Sequence, residues 1–215
     1  MTRSPQRTRV QRLPDKQVED RAVLDAVLDA GRVAHAGVVD GEGQPYVVPV
    51  AFARDGGAVL IHGSTASRLF RTLAAGAPTC LTVTLLEGLV LARSVFESSM
   101  HYRSAMVLGA AEPLDGDAKV RGLERITDHL MPGRWTDARQ PSRKELAATL
   151  VLSLPIVEWS VKVSDGPPDD ATEDLVLPVW AGVVPLHETF GAPVATAGLP
   201  AGIPVPGYVG RWAAR

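Results

Sequence analysis

Cysteine, net charge and long apolar runs are all scarce in this sequence of 215 residues. Cys80 is the single cysteine, so the chain forms no internal disulfide and a reducing compartment is expected. A formal net charge of −2 gives the protein no electrostatic reason to seek nucleic acid or a membrane surface. No apolar run approaches the ~20 residues that span a bilayer, and no apolar stretch follows the basic N-terminal residues. We therefore expect a cytoplasmic protein without a secretory signal.

Several enzyme signatures are also missing. The sequence contains neither G-x-x-x-x-G-K-[ST] nor G-x-G-x-x-G, so a nucleotide-hydrolysing phosphate loop and a Rossmann dinucleotide site have no support. It has no G-x-S-x-G elbow, which disfavours a serine hydrolase. No two of its five histidines stand at local metal-ligand spacing, so no metal site is predicted.

Short strand-like segments dominate the remaining pattern. Asp-Gly steps between β-branched runs predict hairpins, and Glu87-Gly88 is predicted to form one tight turn. Helices are predicted near residues 18–31, after the run 57–61 and within 115–131, and Ser142 to Glu145 has capping-box spacing. The sequence predicts an α+β fold whose six to eight antiparallel strands close into a barrel with peripheral helices.

The predicted organisation has three parts. Residues 1–18 form a flexible N-terminal arm, and residues 19–190 form the folded domain. Residues 191–215, rich in Gly, Pro and Ala, form a tail that lies extended over a surface or over a partner subunit.

The stretch HGSTASRLF, from His62 to Phe70, is the first candidate site. A strand passes into a helix there, and unpaired amides at a helix start favour an anion. Ser64, Thr65 and Ser67 add hydroxyl donors, and the guanidinium of Arg68 suits paired phosphate oxygens. This pattern is typical of a phosphate site, but it also fits a plain helix cap with Arg68 in solvent.

A second polar group begins an otherwise apolar strand. His101, Tyr102, Arg103 and Ser104 stand together there, which suits a ligand with one charged end and one flat apolar end. Polarity of a hairpin turn is the alternative interpretation. Lys162 is a third candidate, although an isolated strand lysine is more often a solvated edge charge.

Six segments in order carry a family resemblance: GQPYVVPVAF, VLIHGSTASRLFRTL, CLTVTLLEGLVLARS, HYRSAMVLGAAE, ELAATLVLSLPIVEWSVKVSDGPPDD and LPVWAGVVPL. Together they resemble the pyridoxamine 5′-phosphate oxidase-like superfamily of FMN-binding split barrels. The most similar branch contains flavin-nucleotide-binding and nitroimidazole-resistance proteins. The resemblance spans roughly residues 33–186, which is most of the chain.

The resemblance implies an FMN site built between two chains of a homodimer. The corner would hold the FMN phosphate, the strand at 48–51 would present backbone to the ring, and Trp180 would reach a flavin across the interface. The implied cofactor-binding residues are Val48, Pro49, Val50, Ala51, His62, Gly63, Ser64, Ser67, Arg68, Arg103, Ser104, Lys162 and Trp180.

The chain departs from that branch at several positions. Glu97-Ser98 stands where a histidine pair is common, His101 where an asparagine is common, and Ser164 where an arginine is common. These departures leave the contacts with substrate or phosphate open.

The implied function is an FMN-dependent oxidoreductase that acts on a small flat acceptor. In such an enzyme the flavin carries the electrons, and the protein anchors the phosphate and shapes a slot. No catalytic residue is assigned, although His62 and His101 are titratable candidates. The alternatives are a flavin-binding or redox-sensing module without turnover, and a haem-binding protein of the same fold.

Overall fold

The computed structural model describes residues 7–212, and its strands form two antiparallel sheets. The larger sheet has the order β1-β10-β7-β6-β2-β3, with β11 paired to β6, and the smaller sheet has the order β4-β5-β9-β8. The strands are β1 (Gln17–Val18), β2 (Ala34–Val39), β3 (Pro45–Val50), β4 (Phe52–Asp55), β5 (Ala58–Ser64), β6 (Pro78–Leu91), β7 (Ser99–Ala110), β8 (Glu112–Pro113), β9 (Thr149–Pro155), β10 (Glu158–Ser164) and β11 (Gly182–Pro185).

Six α-helices and two 3₁₀ turns lie between and around the sheets in this part of the chain. None of the helices within residues 7–212 has both the length and the apolar content that crossing a membrane requires. The α-helices are α1 (Arg21–Ala30), α2 (Arg68–Ala74), α3 (Gly116–Leu130), α4 (Arg134–Asp137), α5 (Arg143–Ala147) and α6 (Gly207–Gly210), and the 3₁₀ turns are Pro14–Lys16 and Thr172–Val176.

This architecture confirms the α+β antiparallel fold, and it differs from the sequence prediction in strand number. The described residues contain eleven strands rather than six to eight. Two of them, β1 and β8, are only two residues long and carry no readable periodicity. In addition, the run at 46–53 is two strands, because the chain leaves the larger sheet after Val50 and enters the smaller one at Phe52.

The predicted turn at Glu87-Gly88 is wrong. Strand β6 continues to Leu91, and the register with β7 shifts between Leu86 and Gly88, so that Glu87 is a bulge residue. Gly88 pairs with His101 on one side and with Pro185 on the other. Partners on both edges hold the segment extended, and they override the turn preference of Glu-Gly.

The main core lies between the sheets and is closed by α1 and α2. Asp20 caps α1 by accepting a hydrogen bond from the amide of Ala22, and Leu24, Val27 and Leu28 are fully buried. A second, smaller cluster joins the smaller sheet to α3 through Leu60, Leu123, Ile126, Val151 and Ala53.

One face of the larger sheet, here called the outer face, points away from the core. Along β2, buried Ala34, Ala36 and Val38 alternate with His35 and Val39, which are exposed. Because side chains alternate along a strand, the outer face also carries Val47 of β3, Cys80 and Thr82 of β6, and Met106 and Leu108 of β7.

Both ends of the described chain lie against the fold. Within the predicted arm of residues 1–18, Arg7 pairs with Glu158 at 2.7 Å and Gln17–Val18 pairs with β10. The tail returns to its own chain, where the hydroxyl of Tyr208 donates to Asp137 at 2.7 Å. The indole of Trp212 donates to the carbonyl of Pro132 at 3.1 Å. Residues 1–6 and 213–215 lie outside the described residues.

Candidate functional site

The corner between β5 and α2 is fixed by its own hydroxyl groups. Ser64 Oγ accepts from the amide of Ala66 at 3.1 Å, and the Ser67 amide donates to the carbonyl of Ser64 at 3.0 Å. Both the amide and the hydroxyl of Thr65 donate to the carbonyl of Ala148, at 3.0 and 3.3 Å. The hydroxyl of Ser67, the residue before α2, makes no capping hydrogen bond. It therefore has its hydrogen-bonding capacity available.

Gly63 is required where the corner meets the core. A Cβ atom at this position would lie 2.2 Å from Cε2 of Phe70, a buried residue of α2. Real Cβ atoms do not approach that closely, so the absence of a side chain lets Phe70 pack against the strand.

Two arginines of α2 have no acidic partner among the described residues. The guanidinium of Arg68 lies over the ring of Tyr46, 4.5 Å from its centroid, and Arg71 follows one turn later. Both border a cavity of about 630 Å³, here called the α2 groove. The groove is lined by Val39, Asp40, Gly41, Arg68, Arg71, Thr72, Ala75, Gly76 and Ala77.

His62 has a buried ring nitrogen without a partner. Its Nδ1 is inaccessible to water and makes no hydrogen bond. Burial lowers the pKa of His62, because a low-dielectric setting disfavours the charged imidazolium. The ring is therefore neutral near pH 7.

The predicted 48–51 strand faces two ways and ends at Val50. Ala51 links β3 to β4 and directly precedes Phe52, which pairs with Ile61, the neighbour of His62. Val48 and Val50 pack towards the core, whereas Pro49 is exposed. Since β3 is an edge strand of the larger sheet, one side of its backbone has no strand partner.

The neighbours Arg103 and Ser104 point to opposite sides of β7, as successive strand residues must. Arg103 forms a paired salt bridge with Glu87, with Nε 2.9 Å and Nη2 2.5 Å from Oε1. Hydrogen bonding to Glu87 raises the pKa of Arg103. Glu87 is not among the site residues predicted from the sequence, because a bulge residue next to glycine resembles a turn.

Ser104 and Lys162 lie together on the outer face. They are register partners between β7 and β10, and Thr84 of β6 is the other partner of Ser104. Lys162 Nζ makes one long contact of 3.5 Å with the carbonyl of Arg12. Three polar side chains therefore form a short row across three strands.

Trp180 lies apart from these groups. Its side chain is 65% exposed, and Gly182 leaves room for its ring, since a Cβ there would lie 2.8 Å from Trp180 Cη2. Strand β11 pairs with the C-terminal end of β6 and begins opposite Leu91. Strand β2 pairs with the other part of β6, near Thr82. Within one chain the structure does not bring Trp180 to the corner.

A second cavity of about 820 Å³, here called the outer-face cavity, lies on the larger sheet. It shares Val39 with the α2 groove, so the two cavities adjoin. This cavity was not predicted from the sequence, although β3 and the second half of β7 carry apolar residues on both faces, which indicates that the outer face is apolar. Its lining includes Gly37, Val38, Val39, Pro45, Tyr46, Val47, Cys80, Leu108, Gly109 and Val157.

The positions that depart from the family pattern have structural partners. His101 Nε2 is 2.7 Å from the carbonyl of Gly166, and the hydroxyl of Ser164 accepts from Lys16 at 3.0 Å. Ser98 Oγ accepts from the amide of Ala92 at 3.1 Å and donates to the carbonyl of Ser94. The amide of Glu97 donates to Ser94 Oγ at 3.1 Å.

Metal ligation by a cluster of side chains has no support in residues 7–212. No group of three or more His, Cys, Asp or Glu side chains in this range could hold an ion. Burial raises the pKa of Cys80, the thiol of the outer-face cavity, so it stays protonated near neutral pH.

The matches among solved structures include two that cover nearly the whole chain. The FAD and haem binding protein from Mycobacterium smegmatis is 46% identical, with a TM-score of 0.88, over 92% of this chain and 97% of that one. The flavocytochrome Anf3 from Azotobacter vinelandii is 39% identical, with a TM-score of 0.91, over 99% of each chain.

A more distant match agrees in fold. A 5-nitroimidazole antibiotic resistance protein from Bacteroides thetaiotaomicron is 24% identical, with a TM-score of 0.59, over 68% of this chain and 86% of that one. A comparison with curated proteins finds no match. Residues 20–163 match the family model described as pyridoxamine 5′-phosphate oxidase. That match covers well over half of the sequence, and the chain belongs to this family of split-barrel proteins.

Proposed function

We propose that this chain binds a flavin nucleotide and uses it in electron transfer. One observation carries the proposal: a protein described as binding FAD and haem is 46% identical over nearly the whole of both chains. The free guanidinium of Arg68 and the free hydroxyl of Ser67 support it, because both suit a phosphate group at the corner.

The side chains of this protein would bind and orient the cofactor. The flavin supplies the electron-transfer chemistry when bound. Arg68 and Ser67 would hold its phosphate, and the unpaired edge of β3 would supply backbone hydrogen-bonding groups to the polar atoms of the ring. The apolar walls of the outer-face cavity exclude water from a flat acceptor.

The proposal includes a homodimer that buries the outer face. Within residues 7–212, no helical residue lines the outer-face cavity. The side chain of Val47 on the outer face is 64% exposed to solvent. Apolar surface of this kind is typical of a protein interface. The proposed role of Trp180 in a neighbouring site requires such a second chain, because Trp180 lies apart from the corner of its own chain.

The test compares flavin binding by wild type and by Arg68→Ala. We expect a yellow protein that releases a flavin, and we expect the variant to bind FMN or FAD at least about tenfold more weakly. Riboflavin lacks the phosphate, so its affinity should stay within about twofold. Arg121→Ala removes an exposed arginine of α3 and serves as the control. An equal loss for riboflavin and FMN would contradict the assignment.

Turnover is tested separately from binding. The reduced flavoprotein is mixed with nitroaromatic and quinone acceptors, and reoxidation is followed in the flavin absorption band. Rapid reoxidation by one acceptor supports an oxidoreductase. Inertness towards the whole panel favours the alternative of a flavin-binding module without turnover.

Haem binding is a second candidate, and His62 favours it. Imidazole is a common axial ligand of haem iron, and ligation needs a neutral ring nitrogen. In residues 7–212, His101 and His129 use Nε2 on the carbonyls of Gly166 and Gly31, at 2.7 and 2.6 Å. His62 has a neutral, half-buried ring, but its Nδ1 is enclosed, so Nε2 would be the ligating atom. His35, exposed on the outer face, also makes no side-chain hydrogen bond in this range and is another available imidazole.

Haem titration distinguishes the two candidates. Wild type, His62→Ala and His187→Ala are titrated with haemin and followed by the Soret band. We expect a saturable band that His62→Ala weakens and that His187→Ala, an exposed position just after β11, leaves intact. A wild-type protein without a Soret band would remove the haem candidate and leave the flavin proposal standing.

A further inference from the structure

The α2 groove continues directly from the proposed phosphate corner. Arg68, Arg71, Thr72 and Ala75 stand at spacings of three, four and seven residues, which places them on one side of α2. Arg68 belongs both to the corner and to the groove. A ligand anchored at the corner therefore has an open path along this side of the helix.

Arg71 is an available cation in that path. Within residues 7–212 its guanidinium makes neither a hydrogen bond nor an ion pair, although Asp40 lines the same groove. By contrast, Arg54 and Arg103 are each held by a carboxylate. Arg68 and Arg71 are three residues apart, which is about 4.5 Å along a helix axis. One diphosphate group spans that separation.

The opposite wall of the groove offers an acceptor and a flat apolar surface. Asp40 Oδ1 accepts from the amides of Glu42 and Gln44, both at 3.0 Å, and Oδ2 keeps its acceptor capacity. Ala75, Gly76 and Ala77 add small residues that leave the groove open. Such a site suits vicinal hydroxyls next to a planar base.

We infer that the α2 groove binds the adenylate half of FAD, with Arg71 holding the second phosphate and Asp40 accepting from the ribose. The inference rests on the proposed flavin site. FMN ends at its single phosphate and would leave the groove unfilled, so the chain prefers FAD to FMN. The groove volume of about 630 Å³ accommodates a nucleotide-sized group.

The experiment measures the affinities of FAD, FMN and riboflavin for four proteins by fluorescence quenching. These are the wild type, Arg71→Ala, Ala75→Glu and the control Arg121→Ala. Arg71→Ala should weaken FAD by about tenfold and leave FMN within about twofold. Ala75→Glu places a carboxylate one turn from Arg71, where it would pair with that guanidinium and repel the second phosphate, and it should weaken FAD in the same selective way. Circular dichroism and Tm verify that each variant folds.

Three results would overturn the inference. One is equal wild-type affinity for FAD and FMN with no effect of Arg71→Ala, in which case the proposed flavin site still stands. Another is an equal loss of FAD and FMN in Arg71→Ala, which would assign Arg71 to the shared phosphate. The third is a wild-type protein that binds neither nucleotide, which would also overturn the proposed function.

Discussion

At the residue scale, Gly63 couples the corner to the core. The ring of Phe70 occupies the space that a side chain at position 63 would need. The corner and the packing of α2 therefore depend on the same residue.

Gly63→Ala should destabilise the fold. The new methyl group would meet three atoms of the Phe70 ring within 2.7 Å, and overpacking of this kind typically costs about 1–3 kcal/mol. Urea unfolding measures the change in the free energy of unfolding. Gly57→Ala, which stands before the other end of β5 and meets no atom within 4 Å, should change it by less than about 0.5 kcal/mol. Equal values for the two variants would contradict the packing argument.

Some features of the candidate site could be predicted from the residue types in the sequence, and others could not. The strand–helix corner was predictable, because an apolar strand-like run passes into small hydroxyl residues and then a helical segment. Its role as a phosphate site stays a prediction. The partner of Arg103 was not, since Glu87 meets it only through a bulge that shifts the register of β6. The opposite orientations of Arg103 and Ser104 follow from strand geometry once β7 is known.

At the element scale, α5 is a short helix held by its first turn. The hydroxyl of Ser142 accepts from the amide of Glu145 at 3.3 Å, and Glu145 accepts from the amide of Ser142 at 2.7 Å. The capping box predicted from the sequence is thus confirmed. Arg139 adds two contacts to the same carboxylate, at 2.8 and 3.0 Å, from outside the helix.

The pKa of Glu145 should be about 2, chiefly because of its hydrogen bond with Arg139. Its folded-state pKa is depressed, so its contribution to stability is present above the unfolded value of 4.5 and is lost as pH falls towards about 2. Carbon-13 NMR titration of the carboxyl group measures the pKa directly. Arg139→Ala should raise it further than Ser142→Ala does. A pKa near 4.5 in the wild type would contradict the hydrogen-bond assignment.

Local signals fixed some elements, and tertiary pairing fixed others. Helix α1 was predicted from its apolar stripe and from Gly31, and α5 from its cap. Strand β6 was broken in the prediction at Glu87, because no local signal reports that β7 and β11 flank it. For the same reason the division between β3 and β4 was not visible, since the two halves pair in different sheets.

At the scale of the whole molecule, the two sheets share one core. Within residues 7–212, no helix covers the part of the outer face that forms the cavity. Hairpin spacing predicted the α+β antiparallel class, but sheet order depends on non-local pairing that no short segment encodes. The path of the C-terminal tail could not be predicted from the sequence either. Trp212 lies 5.7 Å from Phe190 between ring centroids, and these contacts hold the tail on its own chain.

The outer face is also where a whole-molecule prediction can be tested. Val47→Lys places a charge on an exposed outer-face position that borders the 820 Å³ cavity. Burying an unpaired ammonium in a dimer interface costs several kcal/mol, whereas in a monomer the same lysine is solvated. Light scattering after gel filtration should therefore report a dimer for the wild type and a monomer for Val47→Lys, with little change in Tm. Ala26→Lys, on the exposed side of α1, should remain dimeric.

Because the proposed cofactor site is shared between two chains, Val47→Lys should also lose flavin affinity in parallel with dimerisation. A monomeric wild type that still binds flavin tightly would refute the shared site, and it would confine cofactor binding to the corner and the groove of one chain.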